Sequence, residues 1–228
     1  DFDLKNGQTI GLVGRVGSCK TTIIQLLMRE FDNYKGRITF AGHDIRQIPL
    51  DVYLKEISYV PQNNFLFSMS VRDNIAFAKP DASQEEVEVA AKKSALHDDI
   101  LAFPNGYETM IGENGVSLSG GQKQRMSIAR ALLHDSEILI LDDALSAVDA
   151  KTEKAILTKL RQEREKKITV IAAHRLSSVM DADLILVMQD GQVAERGTHE
   201  ELLAKGGWYA RIWQRQELAQ KVGEDDDE

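Results

Sequence analysis

Cysteine, proline and aromatic residues are scarce in this 228-residue chain, and basic residues are outnumbered by acidic ones. The single cysteine, Cys19, excludes an intrachain disulfide and is in keeping with a reducing, cytosolic setting. Four prolines leave no proline-rich linker and mark no hard domain boundary. Apolar runs are short: residues 138–141 and 184–188 fall far below the roughly 18 residues that span a bilayer, so the chain is expected to be soluble whether or not its parent protein is. The first residues carry no basic and apolar leader. A formal net charge of −8 argues against a nucleic-acid binder, which needs a basic face. Part of that charge lies in Glu224-Asp225-Asp226-Asp227-Glu228, read as a solvated tail. What remains, 43% hydrophobic and 28% charged, suits a globular protein long enough to bury a core.

Along the chain, strand and helix signals alternate. Residues 9–13 form a short apolar run ending at Gly14, followed by a glycine-containing loop and a helical stretch over 20–29. Residues 37–40 alternate in strand fashion and run into a turn at Ala41-Gly42-His43-Asp44. Residues 57–60, 138–141, 168–172 and 184–188 are near-continuous apolar runs, as strands are when both faces of a parallel sheet are covered. A charged amphipathic helix over 151–164 separates two of them. The middle, 68–134, reads as helical. Ser83-Gln84-Glu85-Glu86 is a capping box ahead of Val87, Ala90, Ala91 and Ala95 on one helix face. Ser119-Gly120-Gly121-Gln122 starts another helix carrying Met126, Ala129, Leu132 and Leu133. The fold class is α/β.

Gly14-Arg15-Val16-Gly17-Ser18-Cys19-Lys20-Thr21 follows the pattern G-x-x-x-x-G-K-[ST], with Thr22 next. Glycines let such a loop wrap phosphates with its N–H groups pointing inward, and the following helix turns its positive end to the anion. Lysine neutralises β/γ-phosphate charge and the next hydroxyl binds Mg²⁺; Lys20 and Thr21 stand at those positions. Cys19 stands where the pattern has its second glycine, and its side chain is expected to crowd the loop or strain its backbone. Residues 138–143 form an apolar strand ending in two carboxylates, Asp142 and Asp143, where a second Mg²⁺ contact is made beside a phosphate loop.

Leu118-Ser119-Gly120-Gly121-Gln122, continuing as Lys123-Gln124-Arg125, resembles the signature of ATP-binding cassette (ABC) ATPases. Tyr59-Val60-Pro61-Gln62 then looks like the Q-loop, Ser146-Ala147-Val148-Asp149 like the D-loop, and Ala172-Ala173-His174-Arg175 like the switch-histidine segment, all in family order. Ser70-Val71-Arg72-Asp73-Asn74-Ile75, Gly112-Glu113-Asn114-Gly115 and residues 191–202 resemble the exporter branch. The resemblance covers essentially the whole chain. It implies a P-loop NTPase fold with a RecA-like parallel-sheet core and small antiparallel β subdomain (1–67 and 135–222), a helical signature subdomain (68–134) and an acidic tail (223–228). It implies ATP and Mg²⁺ as ligands. Residues 14–22 and Ser119, Gly120, Gly121 and Gln122 would contact nucleotide; Thr21, Gln62 and Asp142 would serve the metal; Asp143, His174 and Gln62 would serve catalysis. The implied partners are a second ABC nucleotide-binding domain, packed head to tail around ATP, and a transmembrane domain preceding this segment, at the cytoplasmic face of a cell membrane.

Two departures qualify the resemblance. Fully active members carry glutamate where this chain has Asp143, whose carboxylate falls short by about 1–1.5 Å. An error of about 1 Å can cost on the order of 100-fold in rate. The chain thus resembles the degenerate-site subunit of a heterodimeric bacterial multidrug exporter, with a slow site of its own and an intact signature for its partner. A fully active homodimeric ATPase and a non-hydrolysing ATP-binding regulatory module remain the alternatives. The aromatic residue on which the family stacks adenine lies upstream of the phosphate loop, and the sequence is expected to start too late to include it; Phe2 is not assigned that part.

Overall fold

A computed structural model describes residues 2–112 and 115–225. Glu113 and Asn114 of the exporter-like stretch, and Asp226, Asp227 and Glu228 of the acidic run, lie outside the described residues.

In chain order the elements are β1 (Thr9–Gly14), α1 (Lys20–Leu27), β2 (Thr39–Phe40), β3 (His43–Asp44), α2 (Leu50–Lys55), β4 (Ile57–Val60), α3 (Val71–Ile75), α4 (Gln84–Lys93), α5 (His97–Leu101) and α6 (Gly120–His134). They continue as β5 (Ile138–Asp142), α7 (Ala150–Glu163), β6 (Ile168–Ala172), β7 (Leu184–Gln189), β8 (Gln192–Gly197), α8 (His199–Lys205) and α9 (Trp208–Asp225). Six strands form one sheet in the order β4-β5-β6-β1-β7-β8, parallel except for the last, and β2 and β3 form a small antiparallel pair. This is the mixed α/β fold that the resemblance implies.

The period-2 alternation of strands sorts the apolar runs into two layers. Leu139, Leu141, Ile171, Ile185 and Val187 face one side of the sheet, where Ile128 of α6, Ile156 and Leu160 of α7, and Tyr209 of α9 cover them. Ile10, Leu12, Ile140, Val170 and Leu186 face the other, against Ile24 of α1 and Tyr53 of α2. A third cluster, Val71, Ile75, Val87, Ala91, Leu96, Ile100, Met126 and Ala129 among others, fills the space between α3, α4, α5 and α6. Helix α6 contributes to two clusters, so it is wedged between the sheet and the helical segment.

Several details differ from the sequence pattern, among them Ala95, which lies beyond the end of α4 with φ 54° and so is not on its helix face. The helix expected over 20–29 ends at Leu27, because Arg29 takes a left-handed conformation (φ 55°) and its guanidinium donates to the Ile48 carbonyl at 2.6 Å. β8 carries no alternating apolar pattern because it is an exposed edge strand; its turn, Asp190-Gly191, has both φ values positive (49° and 75°), as a tight hairpin requires. The 68–134 segment is helical but also holds two isolated bridges, Ser70–Met110 and Ile111–Val116. α9 extends to Asp225, into the acidic run. Among the described residues no helix is long and apolar enough to cross a membrane.

Candidate functional site

The loop between β1 and α1 has the conformation that its glycines predict, and one that its cysteine resists. At Gly14 (φ 152°) a β-carbon would lie 2.3 Å from the Met188 carbonyl oxygen and 2.6 Å from Ser18 Oγ, so no larger residue fits. At Gly17 (φ 82°) nothing lies within 4 Å of that position, leaving open space along the loop. Cys19 caps the start of α1 with φ 72° and ψ 24°, a left-handed conformation that costs a residue with a β-carbon about 1–2 kcal/mol. Its exposed thiol makes a long contact, 3.9 Å, to the Gly17 carbonyl.

Among the described residues no side chain caps α1, and its first turn holds no acidic residue, so its N–H groups are not taken by a described side chain. Lys20 donates from Nζ to the carbonyls of Gly14 (2.9 Å) and Arg15 (3.2 Å). Burial lowers its pKa, opposed by the charges of Asp143 and Asp142. Ser18 Oγ is buried with no hydrogen-bond partner among the described residues. Arg15, Val16, Thr21 and Thr22 are exposed. A buried orphan hydroxyl, open space at Gly17, uncapped N–H groups and one buried ammonium fit a polyphosphate with its metal ion.

β5 delivers the two carboxylates to the same end of the sheet. Asp142 is buried, and Tyr59 donates to its Oδ2 at 3.4 Å. Burial, with the neighbouring Asp143 charge, holds its carboxyl above the ordinary aspartate range. Tyr59 is pushed up to about 12, by burial first and by Asp142 next. Asp143 follows with φ 47°, its N–H donating to the Ala172 carbonyl at 2.8 Å. Both its carboxylate oxygens meet one residue: the His174 backbone N–H donates to Oδ1 at 2.9 Å, and His174 Nε2 lies 3.0 Å from Oδ2. Gln62, Asp143, Ser146 and His174 line a common pocket of about 130 Å³.

Residues 119–122 do not line that pocket. Ser119 caps α6 in a reciprocal box: Gln122 N–H donates to Ser119 Oγ (3.2 Å), and Ser119 N–H to Gln122 Oε1 (3.0 Å). Gln122 Nε2 donates to Asp99 Oδ1 at 2.8 Å, so both ends of its carboxamide serve the domain itself. A β-carbon at Gly121 would lie 2.8 Å from the Ala147 carbonyl oxygen, and one at Gly120 3.3 Å from Ala147 Cβ. The helix start thus packs flush on the 146–149 loop.

Two residues without an assigned part in the sequence hold this arrangement together. Gln124, buried on α6, donates to Ser146 Oγ (2.9 Å) and the Asp143 carbonyl (3.4 Å) and accepts from Ala147 N–H (2.8 Å). Arg175 donates to the carbonyls of Leu145 and Val148 and pairs with buried Glu153 at 2.9 Å. The signal for Gln124 was a polar residue on the face that also carries Ile128 and Ala131, both buried.

A family model described as ABC transporter matches residues 1–146. The chain is 55% identical over 217 residues to "Probable multidrug resistance ABC transporter ATP-binding/permease protein YheI" of Bacillus subtilis (strain 168), covering 95% of this chain and 37% of that protein. It is 49% identical over 218 residues to "Multidrug resistance-like ATP-binding protein MdlA" of Escherichia coli (strain K12), covering 96% and 37%. Among solved structures, "Structure of a bacterial Atm1-family ABC exporter with ATP bound" superposes with a TM-score of 0.88 at 41% identity, over 94% of this chain and 38% of that one. The chain therefore spans well under half the length of these relatives.

Proposed function

This chain belongs to the ABC transporter family, and we propose that it is the ATP-hydrolysing domain of an exporter, with a slow site of its own. In this reading Lys20 neutralises phosphate charge, and the N–H groups of residues 14–22 cradle the phosphates. Thr21, Asp142 and Gln62 would hold Mg²⁺, which when bound neutralises charge on the β- and γ-phosphate oxygens. His174 contacts the γ-phosphate, and Asp143 orients the attacking water. Ser119, Gly120, Gly121 and Gln122 serve ATP held by a second, non-identical domain packed head to tail. A transmembrane domain of the parent protein, receiving motion from the Gln62 loop and residues 68–134, would carry out transport from the cytoplasmic face of the membrane.

The observation carrying the slow-site reading is the state of Asp143. Its carboxylate is short, and both oxygens are engaged by His174. A general base must reach the water it activates; here it must first leave His174. Length supports the membrane-domain reading, since the relatives are more than twice as long.

The test is ATP affinity and turnover of four chains: the parent, Cys19→Gly, Asp143→Glu and the double variant, each alone and with a candidate partner domain. Slow parent turnover that rises with Asp143→Glu supports the reading. Brisk turnover by the parent alone sinks the slow-site part and favours an active homodimer. No gain from either change or from any partner favours a non-hydrolysing regulatory module.

A further inference from the structure

Helix α9 buries one stripe. Trp208 and Tyr209 lie in the main core, and Ile212 and Trp213 pack partly against it. The spacing 209, 212, 213 is that of one helix face, and the next position on it is 216. An apolar residue is expected there; the chain has Gln216.

The structure shows what Gln216 does. Its Nε2 donates to the backbone carbonyl of His174 at 3.0 Å, and its Oε1 accepts from the backbone N–H of Leu176 at 2.9 Å. One carboxamide therefore spans the segment leaving β6, gripping the backbone on either side of Arg175. The His174 N–H is already committed to Asp143 Oδ1. His174 is thus fixed at its N–H by Asp143 and at its C=O by α9, while its ring, 41% exposed, faces the Asp143 carboxylate. The anchor is firm: besides its aromatic stripe, α9 begins on Glu195, whose carboxylate accepts from the N–H groups of Trp208 (2.5 Å) and Tyr209 (3.3 Å).

We infer that Gln216 is a positioning residue for His174, so that the seating of the C-terminal helix sets where the switch histidine stands toward the nucleotide. The inference rests on the reading of His174 as the γ-phosphate contact. A side chain merely filling the stripe would need no hydrogen bonds; a carboxamide paired at both ends fixes a backbone in a way an apolar residue cannot.

The test compares the whole chain with Gln216→Ala, Gln216→Glu, His174→Ala and the Gln216→Ala/His174→Ala double variant. Amide exchange, ATP affinity and single-turnover hydrolysis are read for each. In Gln216→Ala the Leu176 amide should exchange about tenfold faster while β6 amides are unchanged. ATP affinity should stay within about twofold while hydrolysis falls about tenfold. In the His174→Ala background, Gln216→Ala should cause no further fall. Gln216→Glu still accepts from Leu176 but sets a carboxylate against the His174 carbonyl, so it should restore protection of Leu176 without restoring hydrolysis. Parent-like exchange at Leu176, parent-like hydrolysis, or an equal fall with and without His174 overturns the inference. If His174→Ala alone leaves hydrolysis and affinity intact, the reading of His174 fails, and the inference with it. If His174→Ala slows hydrolysis and Gln216→Ala does not, only the inference fails.

Discussion

Cys19 holds a left-handed backbone that a β-carbon resists, at the second of the two points in residues 14–21 where the sequence pattern demands glycine. Replacing it with glycine should stabilise the chain by about 1 kcal/mol, read by denaturant unfolding. The same change should tighten Mg²⁺-ATP binding, read by calorimetry; unaltered stability would mean that the loop relaxes elsewhere. Asp143→Glu should raise turnover by up to about 100-fold, because the longer carboxylate closes a gap of about 1 Å or more. Both positions stood out in the sequence as single departures from strong patterns. That His174 meets both oxygens of Asp143 did not, since the two residues lie 31 positions apart in the chain.

Helix α6 ties residues 119–122 to the carboxylate pair. Its start packs on Ala147, and its fifth residue, Gln124, holds Ser146, Ala147 and the Asp143 carbonyl. A methyl group at Gly121 would meet the Ala147 carbonyl at 2.8 Å, so Gly121→Ala should cost about 1–3 kcal/mol in unfolding and loosen the 146–149 loop. Amide exchange at Ala147 would show the second effect, and an unchanged rate there would refute it. The strands of the parallel sheet were legible because burial on both faces makes them continuously apolar. β8 and α2 were not: the edge strand is exposed, and α2 leaves Leu50, Val52 and Leu54 partly in solvent, so neither shows the period of a buried face. The Asp190-Gly191 hairpin signal was present but local.

At the scale of the whole molecule, two carboxyls among the described residues are held in a state that costs stability at neutral pH. Burial raises Asp142, with Asp143 adding to it, and burial raises Glu153 despite its bond from Ser178 and the charge of Arg175. A carboxyl whose folded value exceeds its unfolded one favours folding below the ordinary carboxylate range. That contribution is lost as pH rises through the folded value. Asp142→Asn should therefore stabilise the metal-free chain at pH 7.5 more than at pH 4, measured by unfolding at both. It should also weaken Mg²⁺ binding; equal gains at both pH values would show that Asp142 is not the strained group.

The sequence alone pointed to the family and the parallel-sheet core, and singled out residues 14–22, the carboxylate pair and residues 118–122 as candidates. These are set by local rules: glycines where the backbone must turn or approach closely, apolar runs where both faces are covered, a capping pair where a helix begins. Only the tertiary structure decided that His174 closes on Asp143, that Gln124 bridges α6 to the loop beside it, and that Gln216 reaches the segment after β6 from α9. Those are hydrogen bonds between residues 19 to 42 positions apart. No periodicity of the chain encodes them, because they depend on how the elements pack against one another.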